Sequence, residues 1–179
     1  NHRIQKFSSE GKYIDSWGGY GVHPGEFDSP WGLTIDKDGF VYVADHKNHR
    51  VQKFSSSGEY LMEFGSYGAG RGYLNRPTDI AVDPEGDVYI CDWANNAVKV
   101  FEPGGSFVTS FIGDAQALSK WFKITVNAND DVFKARRRVD TLEPEWRLAL
   151  PCGVAFDEVN SRVMIADTQR RRIQIYNKL

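Results

Sequence analysis

Apolar residues along this chain come in short bursts that alternate with polar ones at a period of two, as in Leu33-Thr34-Ile35 and Val51-Gln52-Lys53-Phe54. That period places every second side chain on the same face of a strand. β-Branched and aromatic residues fill the bursts, and turn-forming clusters separate them: Asp36 to Gly39, Ser55 to Gly58, Asp83 to Gly86 and Pro103-Gly104-Gly105. These clusters supply the backbone angles that tight turns need. The pattern predicts short strands throughout, and no amphipathic helix is expected.

Repetition organises the strands. Pro30-Trp31-Gly32-Leu33-Thr34-Ile35-Asp36-Lys37-Asp38-Gly39 returns as Pro77-Thr78-Asp79-Ile80-Ala81-Val82-Asp83-Pro84-Glu85-Gly86. Val41 to Asp45 returns as Val88 to Asp92, and Asn48 to Phe54 as Asn95 to Phe101, all at an offset of 47 residues. A four-strand unit of this size buries its faces by stacking on copies of itself. The prediction is therefore all-β: a β-propeller of four-stranded antiparallel blades. Asn1 to Phe7 matches the third strand of a unit and Lys12 to Trp17 the fourth, while Pro151 to Tyr176 supplies the first three. Bringing these ends together would complete a blade and give about four blades. The alternative is a fragment of a six-bladed ring, whose open sheet edges would favour self-association.

The Pro-led strand at Pro30, the run Val41-Tyr42-Val43-Ala44-Asp45 and the run Asn48-His49-Arg50-Val51-Gln52-Lys53-Phe54 resemble the NHL repeat, and the resemblance extends over nearly the whole chain. It implies a single propeller domain over 1–179, with blade parts 1–26, 27–73, 74–117, 118–150 and 151–179. It also implies a non-catalytic interaction platform. The third unit departs from the pattern: Asp131 to Arg136 aligns with Asp87 to Asp92, so Arg136 replaces the repeated Asp. The outer strands of that blade are expected to be truncated around Thr141 to Leu150.

Composition changes this picture little. The chain is 41% hydrophobic and 13% aromatic, which suits a folded rather than a disordered protein. No apolar run reaches the roughly 18 residues of a membrane span. Charge changes it more. Residues 1–119 carry 10 Lys/Arg against 16 Asp/Glu, whereas 120–179 carry 12 against 8, within a net charge of −2. That asymmetry points to a partner surface in the last third. Two cysteines, Cys91 and Cys152, make neither a disulfide framework nor a zinc site, and Cys91 sits inside a strand pattern as a small buried thiol.

Comparison among the repeats separates scaffold from function, because a single site needs no copies. Asp45, Asp92 and Asp167 recur, and read as structural carboxylates that accept N–H bonds from the following turn. Asp36-Lys37-Asp38-Gly39 lacks the acidic spacing of a calcium loop and reads as a hairpin turn. In a four-stranded meander the loops after strands two and four open on one side. That side gathers His46, Trp93, Arg136, Arg137, Arg138, Arg170 and Arg171 as the candidate binding face. The longer loops at 18–29 and 65–76 add Tyr20, His23, Tyr67, Arg71 and Tyr73. Arginine and aromatic side chains suit partner contacts. The expected partner is a protein or peptide, with a polyanion or single-stranded RNA as the second class, and no cofactor is called for. A metal-dependent propeller enzyme of lyase or lactonase type is the alternative. It would draw its ligands from His23 and His46, since His2 and His49 occupy equivalent repeat positions and read as scaffold. No Gly-x-Ser-x-Gly elbow, phosphate-cradling loop or His-Glu-x-x-His motif occurs. A third reading is a structural segment of a larger assembly.

Overall fold

The computed structural model describes residues 1–115, 118, 120–139 and 141–178. Four antiparallel sheets form within them. β1 (Arg3–Phe7) and β2 (Tyr13–Gly18) make the first. β3 (Pro30–Ile35), β4 (Val41–Asp45), β5 (Arg50–Phe54) and β6 (Tyr60–Phe64) make the second. β7 (Pro77–Val82), β8 (Val88–Asp92), β9 (Ala97–Phe101) and β10 (Phe107–Phe111) make the third, and β11 (Pro151–Asp157), β12 (Arg162–Asp167) and β13 (Arg172–Asn177) the fourth. Each sheet is a meander in sequence order, and the sheets stack face to face as blades of a β-propeller, with β7 touching β3 on one side and β11 on the other.

The alternating pattern explains why these faces meet. Tyr42, Phe64, Leu74, Ile90 and Phe101 bury themselves between the second and third sheets, and Tyr89, Cys91, Val98, Val154 and Ile165 between the third and fourth. Each such side chain contributes about 1.5–3 kcal/mol on burial. Cys91 is fully buried, as its place in the strand predicts, and burial pushes its thiol pKa well up. The first sheet covers less. Ile4, Trp17 and Tyr60 pack on Phe27, Val41, Val43 and Phe54. Leu33 and Ile35, paired with Val43 and Val41 on β4, remain 51% and 61% exposed, because the first sheet holds only the third and fourth strands of a blade.

Two expectations are corrected. The first and fourth sheets stay separate, so the strands at the two ends do not join into one blade. Nor is the stretch over 118–150 a blade. Its described residues hold α1 (Lys120–Asn127), α2 (Asp130–Arg136) and α3 (Glu143–Trp146). Asp131 to Arg136, expected as a strand, is helical because Asn129 caps it: the Asn129 side chain accepts N–H bonds from Asp131 at 3.1 Å and Val132 at 3.2 Å. Asp130 and Asp131 lie at its N-terminal end and Lys134 and Arg136 at its C-terminal end, complementing the helix dipole.

Chain geometry shows where these helices enter. Phe27 and Leu74 close the loops before the second and third sheets by donating N–H bonds to Gly19 and Ser66, at 2.8 and 2.7 Å. Leu148 does the same to Ile112 at 2.8 Å before the fourth sheet. A side chain at Gly113 (φ +89°) would strike the Leu148 nitrogen at 2.4 Å, so glycine is required at this neck. The helices therefore lengthen one fourth-to-first-strand loop and leave the stacking of blades intact.

Candidate functional site

Three recurring carboxylates hold the loop-rich face. Asp45 accepts the N–H of Asp28 at 2.8 Å, Asp92 that of Asn75 at 2.6 Å, and Asp167 that of Ala149 at 2.7 Å. They are structural, as recurrence predicts; the backbone N–H bonds reach back to the loop before each sheet, while the Asn48 and Asn95 side chains in the following turns also donate to Asp45 and Asp92. A cation on the third strand joins each: Arg50 at 2.9 Å, Lys99 at 3.0 Å and Arg172 at 2.7 Å. Those cations also bond loop carbonyls, of His23 and Glu26, of Gly70 and Tyr73, and of Trp146 and Arg147.

A second clasp ties each blade to the next. His2, His49 and Asn96 have positive φ, and their side chains accept the N–H of Ser29 (3.2 Å), Arg76 (3.1 Å) and Leu150 (2.8 Å). Those three residues also have positive φ, each directly before a proline, a conformation costly for a non-glycine residue. The clasp holds them there. His2 and His49 thus serve the frame. Arg171 occupies the equivalent left-handed position but has no acceptor atom to make the same bond.

Within this repeated frame one ring of positions differs. Each first strand carries one extra residue where its register shifts, between Pro30 and Leu33, Pro77 and Ile80, and Pro151 and Gly153. Such bulges re-aim side chains. Trp31, Gly32, Thr78, Asp79 and Cys152 occupy them and, with Trp93, line a cavity of about 390 Å³. His46 and Trp93 stand at the first position of equivalent 3₁₀ turns. The His46 ring lies 4.3 Å from Trp31, edge-on, and 6.1 Å from Trp93. Its Nδ1 is 3.1 Å from the Pro77 carbonyl, which only accepts, so this nitrogen donates. Burial lowers the pKa of His46 and raises that of Asp79. Asp79 Oδ2 accepts the N–H of Val154 at 3.0 Å. A Cβ at Gly32 would lie 2.7 Å from Asp79 Oδ1, so glycine makes room for the carboxylate. Cys152 Sγ lies 2.6 Å from the Thr168 hydroxyl.

The predicted site residues fall into two groups. His46 and Trp93 meet at the cavity. Arg136 and Arg170 meet at α3 instead: Arg136 pairs with Glu145, and Arg170 donates to the Pro144 carbonyl at 2.6 Å. Arg137 is the C-cap of α2, and Arg138 is exposed beyond it. His23 is exposed on a loop held by Arg50, and its own N–H bonds Glu26. Among the described residues no three His, Cys, Asp or Glu side chains are grouped to hold a metal ion. Sequence reading missed Trp31, Thr78, Asp79 and Cys152. The signal was there in the mismatch of Trp31-Gly32 with Thr78-Asp79 inside otherwise matching strands.

Stacked four-stranded meanders with their first strands side by side define a repeat propeller. Its two complete blades are NHL repeats: the model of the NHL repeat matches residues 27–54 and 74–101. No curated protein matches the chain. Among solved structures, a streptogramin B lyase superposes with a TM-score of 0.54 at 14% identity, over 98% of this chain and 48% of that one. A virginiamycin B lyase from Staphylococcus aureus gives 0.53 at 13% identity, over 98% and 48%. A catalytically inactive form of that lyase with quinupristin gives 0.51 at 13%, over 99% and 49%. The chain thus spans about half the length of these structures, and the likeness is one of fold.

Proposed function

We propose that this chain is a non-catalytic binding module that takes a protein or peptide on its loop-rich face. One observation carries the reading: the frame repeats from blade to blade while the ring around the cavity does not. Trp31 and His46 stand where the next blade has Thr78 and Trp93, and the last has Cys152 and Thr168. Equivalent supports carrying unlike side chains make an asymmetric surface, which is what holds one partner in one orientation. Its exposed aromatics (Trp31, Tyr20 and Tyr67) supply large contact area, and the exposed Arg138 and Arg171 supply pairing for carboxylates of the partner. The cavity lining holds a carboxylate and no Lys or Arg, which favours a peptide over a polyanion there.

A peptide display library panned on the purified protein tests this. Enrichment of a sequence family is expected, lost at least about tenfold in Trp31→Ala and weakened several-fold in Arg138→Ala or Arg171→Ala. A control substitution on the opposite face, Lys37→Ala in a hairpin turn, should bind as the parent does. No enrichment, or equal loss in the control, would sink the proposal.

A further inference from the structure

We propose that the cavity between Trp31 and Trp93 is a receptor for a methylated ammonium group, the side-chain end of a methylated lysine in the bound peptide. The proposal rests on the binding-module reading and names the chemistry of its centre. Two indoles and one carboxylate line the cavity, together with Gly32, Thr78 and Cys152. Indole faces attract cations through the ring quadrupole, more strongly than any other side-chain ring, and a nearby carboxylate supplies the opposite charge. His46 lies behind the lining in contact with both indoles, its ring 4.3 Å from that of Trp31 and 6.1 Å from that of Trp93. It adds no competing positive charge at neutral pH, since burial depresses its protonation.

Asp79 is built in rather than adventitious. Its bond from the Val154 N–H fixes its position and leaves part of its acceptor capacity free. Gly32 packs close against it: a Cβ there would meet the Thr78 carbonyl oxygen at 2.4 Å and Asp79 Oδ1 at 2.7 Å. Methylation follows from counting donors. A bare ammonium carries three N–H groups that each need an acceptor on leaving water. Here Asp79 and the Thr78 hydroxyl are the side-chain oxygen acceptors of the lining, and Trp31, Gly32, Trp93 and Cys152 add none, which leaves two groups for three donors. Methyl groups remove that demand while keeping the charge. At about 390 Å³ the cavity is in the size range of small-ligand clefts.

The test is titration calorimetry, with tryptophan fluorescence as a second readout, using three short peptides that differ at one residue. That residue is trimethyllysine, unmodified lysine, or the uncharged carbon isostere of trimethyllysine. Saturable binding of the first is expected, with each of the other two at least about tenfold weaker. Trp31→Ala and Asp79→Asn should each lose about tenfold. The Asn side chain can still accept the Val154 N–H, and Trp31 is 63% exposed, so Trp31→Ala carries the test even where Asp79→Asn fails to fold. Equal affinity for the carbon isostere, no saturation at millimolar peptide, or unchanged binding by Trp31→Ala would overturn the proposal. So would a single-stranded oligonucleotide occupying the site in preference to the peptide. If display peptides still depend on Trp31 while methylation makes no difference, the cation receptor falls and the binding module stands.

Discussion

The second and third sheets meet the same mechanical demand with different side chains. Around Asp45 stand Arg50 and Gln52; around Asp92 stand Ala97 and Lys99 at the equivalent positions. Arg50 and Gln52 share the work, since both bond Asp45 and both reach the Glu26 carbonyl. Lys99 does it alone, bonding Asp92 and the carbonyls of Gly70 and Tyr73. The fourth sheet returns to the first arrangement with Arg172 and Gln174. What the fold fixes is a buried carboxylate and a bonded loop. The donor that joins them is interchangeable.

Breaking the shared element should cost most. Asp92→Ala strands the nearly buried Lys99 ammonium and orphans the Asn75 N–H, and a loss of about 3–5 kcal/mol is expected from urea denaturation. An unchanged melting temperature would refute the structural role. Removing the donor comes next. Lys99→Ala should cost about 2–4 kcal/mol, and the pair Ala97→Arg with Lys99→Gln, which copies the second sheet, should recover most of it. A double variant no better than Lys99→Ala would show that the two clasps are not equivalent. Smaller still, His49→Ala and Asn96→Ala should each cost about 1 kcal/mol, with faster hydrogen exchange confined to the N–H of Arg76 and of Leu150 respectively. Global rather than local exchange would argue against a junction role. The smallest effect is at Asp157, where hydrogen bonds from Arg162, then Asn160, hold the carboxyl down to about 2. Its folded pKa is depressed, so its contribution is full above the ordinary carboxylate value of about 4 and is lost as pH falls toward 2. Carboxyl chemical shifts should report that midpoint, and Arg162→Ala should return it toward the ordinary value.

Much of the frame was legible in the chain. The 47-residue offset exposes the blades, and recurrence alone marks Asp45, Asp92 and Asp167 as structural. The helices were not, because Asp131-Val132-Phe133 matches Asp87-Val88-Tyr89 at the start of a blade's second strand. The cue against it was Asn129 before an acidic first turn, together with the interval from Pro77 to Pro151, which exceeds the repeat by 27 residues. His46 and Trp93 were legible because they occupy turns. Trp31 and Asp79 were hidden, because a residue in a first strand reads as part of a ladder. Only the register shift, a property of paired strands, turns these two toward the cavity.

The clasps between blades have a consequence in acid. His2 and His49 hold their neighbours through an imidazole nitrogen lone pair, whereas Asn96 uses an amide oxygen. Protonating an imidazole turns that acceptor into a donor facing another donor, and nothing comparable happens to an amide. Burial lowers the pKa of His49, so its junction is secure above the ordinary histidine value of about 6.5 and weakens as pH falls toward the lowered one. Mild acid should therefore open the seam at His49 before the junction at Asn96, beside the helices.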